Sequence, residues 1–146
     1  NMISPNAAIR KALIAKMNGQ IILNGSALPI YNRVPSTATF PYIFITTIGD
    51  DEAFQNQQSF ILNTVTRIEV VTRFKSDAGG DLDCDLAISQ ILSKVRTRDE
   101  DYIDLTADGF NVISQVSNGT TNFQEDDKDF TYFRRILELA ITTQEI

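Results

Sequence analysis

Thr66-Arg67-Ile68-Glu69-Val70-Val71-Thr72-Arg73-Phe74 alternates with a period of two, placing Ile68, Val70 and Phe74 on one side and Arg67, Glu69 and Arg73 on the other. One side of such a strand belongs to a core and the other to water or a partner. The strand is predicted over 60–74. Upstream, Phe40 to Ile48 (FPYIFITTI) is rich in β-branched and aromatic residues that suit a pleated, half-buried surface, and gives a second strand. Downstream, Ser76-Asp77-Ala78-Gly79-Gly80 breaks the chain. The period then changes: Cys84, Ala87, Ile88, Ile91, Leu92 and Val95 form a helical apolar stripe, with Asp81, Asp83 and Asp85 where carboxylates favour the positive end of the helix dipole.

Working outward, Ser4-Pro5 begins a helix over 5–17 carrying Ile9, Ala12, Leu13 and Met17 on one stripe, and Asn18-Gly19 ends it. Ile21 to Leu23, an Asn24-Gly25 turn and Pro29-Ile30-Tyr31 read as short extended pieces. The polar stretch 49–59 (GDDEAFQNQQS) is too long for a tight hairpin and is either a loop or an extended arm; Phe54 is its one large apolar residue. After a charged turn at 96–101, a strand over 109–117, an Asn118-Gly119 turn, an acidic turn from Glu125 to Asp129 and a last strand over 130–143 complete the chain. In that last strand Arg135 interrupts the face made by Phe133, Leu137, Leu139 and Ile141. The expectation is one α+β domain over 1–146: an antiparallel sheet with both helices on one face, and an extended loop or hairpin arm. Leu13, Ile88, Ile91 and Leu92 would pack on Ile68, Val70, Leu137 and Leu139.

Composition narrows the function. The chain of 146 residues carries a net charge of −6, and its basic residues are scattered, which disfavours a surface built to grip phosphate backbone. Cys84 is alone, so neither an intrachain disulfide nor a zinc thiol pair is available, and no apolar run is long enough for a membrane helix. A chain made and kept in a reducing cytoplasm is expected. Histidine is absent, which removes the commonest general base and metal ligand and every Ser-His or Cys-His nucleophile pair. Gly79-Gly80 lacks the rest of a phosphate-binding fingerprint. The acidic runs 50–52, 99–101 and 125–127 do not follow the twelve-position calcium loop. No catalytic residue, cofactor or metal is expected.

Ile30-Tyr31-Asn32-Arg33-Val34-Pro35, followed by Phe40-Pro41-Tyr42-Ile43-Phe44-Ile45, resembles the signature of the phage tail-completion, or tail terminator, proteins. In that family a helix precedes a Tyr-Asn-x-Val-Pro turn, and Pro-Tyr-aliphatic opens the first long strand. The resemblance continues through an arm at 49–59, a strand at 60–74, a glycine-containing turn at 76–80, a helix at 81–97 and a final strand over 125–143 with its acidic turn. Tyr31, Val34, Pro35, Pro41 and Tyr42 are structural in this pattern, since each proline holds the residue before it extended.

The resemblance implies a virion protein assembled in the bacterial cytoplasm. Its copies would close into a ring, typically a hexamer, that ends tail-tube growth and joins the tail to the capsid connector, with DNA passing through unbound. Self, tube protein and connector are the partners implied. A ring needs two different patches per subunit. Phe54 and Gln55 are the expected donated patch, and Val65, Val71, Tyr132 and Ile136, on outward strand faces, the receiver. A head-tail stopper, a tube subunit and a monomeric protein-binding module are the alternatives.

Overall fold

The structure, a computed structural model, describes residues 5–55, 60–76, 78–96 and 102–146, with side chains left aside at 52–60. Its elements are α1 (Pro5–Met17), β1 (Ile22–Leu23), β2 (Ser26–Ala27), β3 (Ile30–Tyr31), β4 (Tyr42–Gln55), β5 (Phe60–Lys75), α2 (Leu82–Val95), a 3-10 turn (Thr106–Asp108), β6 (Phe110–Asp126) and β7 (Phe130–Glu145). The expected Ser4 cap, and most of the charged turn at 96–101, lie outside the described residues.

Five strands form one sheet in the order β3-β4-β5-β7-β6, antiparallel except for the short parallel pair of β3 with β4. β1 and β2 make a separate hairpin through Asn24 and Gly25, whose φ values of 52° and 79° are the two positive angles that a type I′ turn requires. Both helices lie on one face: α1 touches β4 and β5, α2 touches β5 and β7, and the helices touch each other.

The alternation in the sequence decides which face they cover. Ile68 and Val70 of β5, Leu137, Leu139 and Ile141 of β7 and Ile43 and Ile45 of β4 meet Ile9, Leu13 and Met17 of α1 and Cys84, Ala87, Ile88, Ile91 and Val95 of α2 in one core, with Leu92 half-buried at its margin. Arg135, which breaks the apolar face of β7, escapes the core sideways to Asp85 of α2 and Thr120 of β6. The buried Cys84 thiol contacts Thr72 and the Phe133 carbonyl, 3.2 Å away.

Two glutamines tie to α2 segments that lie outside the main sheet and α1. The Gln90 side chain accepts from the Ile22 amide at 2.7 Å and donates to the Ile22 carbonyl at 2.8 Å. Gln115, buried on β6, accepts from the Ile103 amide at 3.1 Å and donates to the Val95 carbonyl at 2.6 Å. After β5 the chain turns through Gly79, at φ 89°, which sits so close to the Phe74 ring that a Cβ would collide with it.

Of the two alternatives read for 49–59, residues 49–55 take the extended one: β4 runs on to Gln55 and pairs with β5 back to Phe60, while 56–59 lie outside the described residues. One reading changes. Asn118-Gly119 is not a reversing turn. β6 passes straight through it with a bulge between Ser117 and Thr120, because the positive φ of Gly119 (94°) serves a bulge as well as a turn while β7 holds the ladder on both sides. The reversal comes at the acidic segment, where Asp127 Oδ1 accepts from the amides of Asp129 (2.9 Å) and Phe130 (2.7 Å). The Phe130 amide, then that of Asp129, holds the Asp127 carboxyl below its ordinary pKa.

Candidate functional site

The helices leave the other face of the sheet uncovered, and it divides into three zones along the strands.

At one end the loop 32–41 folds across the strands. Its Phe40 ring lies 5.1 Å from Tyr42 and 5.8 Å from Tyr132; Tyr31 packs edge-on against Tyr42, and Phe130 stands beside Tyr132. The Arg73 guanidinium lies between the Phe40 and Phe130 rings, 4.4 and 4.2 Å from their centroids, a doubled cation–π contact. This is a second small apolar cluster on the face opposite the main core. Tyr42 is buried within it, and that burial raises its phenol above the ordinary pKa against the opposing influence of Arg134.

Tyr31, Phe40 and Tyr42 of the resemblance motif belong to this cluster. Tyr31 pairs with Phe44, the Pro35 carbonyl accepts from the Ala38 amide, Val34 is half-buried, and the cis Phe40-Pro41 bond precedes the start of β4 at Tyr42.

The cluster corrects the expected receiver. Val71 is 0% exposed, closed off although it is on the outward side of β5. It cannot touch a partner on this folded chain. Tyr132 is half-buried with its ring committed to Phe40 and Phe130.

The middle zone is a charged belt. Arg67 reaches Glu138 at 3.0 Å, and Arg134 lies between Glu69 (3.5 Å) and Glu125, whose Oε1 is 2.9 Å from Arg134 Nε without hydrogen-bond alignment. Beside it, where β6 bulges, a depression of about 280 Å³ is bordered by Arg67, Gly119, Thr121, Phe123, Ile136 and Glu138. Ile136 is thus placed as expected, half-exposed and facing outward.

In the far zone Thr46, Ile48, Asn63, Val65, Val116, Ala140 and Thr142 are uncharged, and Asp51, opposite Asn63, brings a carboxylate to its β4 border. Val65 is here, half-buried. Ile48 and Val116 are 47% and 52% exposed, and Ile113, the extra residue of a bulge in the edge strand β6, is 46% exposed. The sequence reading did not select them. For Ile113 and Val116 the signal is the run Phe110 to Gln124, fifteen residues with no Asp, Glu, Lys or Arg. Phe54 and Gln55 belong to β4 by backbone pairing, but their side chains lie outside the described residues.

Among the described residues no three His, Cys, Asp or Glu side chains gather as a metal site would require. No described helix is long and apolar enough to cross a membrane. The Cys84 thiol is raised above its ordinary pKa by burial, the opposite of what a nucleophile needs. What the surface offers chemically is backbone hydrogen-bonding capacity along two strand edges, with an apolar zone beside them that is charged only toward β4. No protein-family model matches the chain, and no curated protein matches it either.

Proposed function

We propose that this chain is a non-enzymatic structural subunit that assembles with copies of itself into a ring at the head-proximal end of a phage tail, where it ends tube growth and joins the tail to the capsid connector. The observation that carries the reading is the bare far zone of the sheet together with the long edge of β6, which expose Ile48, Ile113 and Val116 where β5, β6 and β7 bear no charge. Exposed apolar strand edges invite pairing with another chain, and natural monomers guard against it with charge or cover.

The resemblance of Ile30 to Pro35 and Phe40 to Ile45 to the tail-completion signature supplies the biological setting. The tube protein and the connector are the other partners in this reading, and a chain of net charge −6 suits a lumen through which DNA slides without being held. Removing the gene from the phage that encodes it tests the role. Filled capsids and tails of uncontrolled length that do not join are expected; normal joined virions would overturn the reading.

A further inference from the structure

The ring reading leaves open which surfaces meet, and the sheet topology is specific on this point. β6 is one edge of the sheet. The other edge is β3 only where Ile30 and Tyr31 cover Ile43 and Phe44; beyond them β4 itself is the edge, with the Ile45 carbonyl already taken by Asn32 at 2.8 Å. From Thr46 onward β4 has a neighbour on one side only, among the described residues.

The pairings run level across the sheet: Gly49 is opposite Val65, Val65 opposite Ala140 and Ala140 opposite Val116, while Asp51 leads by Asn63 and Thr142 to Ser114. The free edge of β4 therefore lies at the same height as residues 112–117 of β6. The other half of β6 is level with the part of β4 that β3 covers, as the chain of pairs Thr121, Ile136, Glu69, Phe44 and Tyr31 shows. Strand direction fits as well. β4, β5, β7 and β6 are four consecutive antiparallel neighbours, so the two edge strands run in opposite directions. A second copy rotated about an axis along the strands brings its β4 beside β6 in the antiparallel sense and without axial shift.

Charge selects among the pairings. Two β4 edges would set the acidic pair Asp50 and Asp51 of one copy near that of the other, whereas residues 112–117 of β6 carry no charge. We infer that residues 112–117 of β6 accept the 46–52 edge of β4 from a second copy, so that adjoining subunits share one antiparallel sheet. This is a head-to-tail contact, with two different patches meeting. It rests on the ring reading for its biological purpose, but its geometry is tested separately.

The native Cys84 is buried, which leaves introduced thiols as the reporters. Ile48→Cys protein and Val116→Cys protein, oxidised as a mixture, should give a disulfide dimer that neither yields alone, and the double variant should give a covalent ladder. Val116→Glu, which sets a carboxylate opposite the neighbour's Gly49 and diagonal to its Asp51 on the same face, should raise the protein concentration for half-assembly by roughly fivefold or more without moving the melting temperature of the subunit. Cross-linking of Val116→Cys with itself would show a two-fold β6 pair instead and overturn the proposal. So would rings that form without the mixed disulfide and tolerate Val116→Glu, although they would leave the ring reading standing. A parent protein that stays monomeric at every concentration, from a phage that joins its tails without it, would remove both.

Discussion

The two faces of β5 and β7 are built from the same backbone and end in different states. Toward the helices, Ile68, Val70, Leu137, Leu139 and Ile141 have no exposed surface. Away from them, burial depends on position: Val71 is closed under the aromatic cluster, while Val65, six residues earlier on the same side, stays half-exposed in the far zone. Alternation decides which way a side chain points, but what lies above it is decided by chain arriving from elsewhere. The helical layer covers β5 and β7 along most of one face. The loop 32–41 covers only one end of the other.

The comparison can be broken most severely on the helix side. Ile91→Asp places a carboxylate where no partner exists, at a cost of several kcal/mol against a typical stability of about 5–15 kcal/mol, so the domain should not fold. A urea or thermal melt like that of the parent would show that α2 does not close the core.

A finer test compares the two valines on the outward face. Val71→Ala removes fully buried apolar surface and should cost about 1–3 kcal/mol, whereas Val65→Ala should stay within about 0.5 kcal/mol in an unassembled subunit. Equal losses in denaturant midpoint would mean that the aromatic cluster does not shield the sheet as described. The smallest effect belongs to the belt. Arg67 and Glu138 are each more than a third exposed, so a double-mutant cycle on them should yield only about 0.2–1 kcal/mol, and less when salt is raised. A larger, salt-insensitive coupling would show the belt to be dry.

Much of this architecture was legible because the signals were local. The period change between 74 and 84 placed β5 and α2, the α2 stripe contains the helix residues that are buried, and Asn24-Gly25 forms the expected turn. Asn118-Gly119 misled because the dipeptide reports only that positive φ is available; whether the strand reverses there depends on β7 continuing to pair with it. Val71 misled for a related reason. Nothing near it in sequence announces that Phe40 and Tyr132 will meet over the sheet, a contact set by the path of an irregular loop. On the outward face, Val65 and Ile136 were legible by alternation, whereas Val116 and Ile113 were not, since bulges displace the alternation of β6.

Gln90 and Gln115 have a consequence beyond holding two segments to α2. Each amide offers one acceptor and one donor, as a peptide unit does. Gln90 serves Ile22 as a substitute neighbouring strand, meeting its N–H and C=O in the order the chain presents them. Gln115 meets one of each from two separate segments. Glutamate has the same shape but accepts at both ends, so in its ionised form it would face a carbonyl with an oxygen at either site. The two side chains thus distinguish amide from acid and one chain polarity from its reverse, so the β1 hairpin and the segment at Ile103 are held with a defined direction.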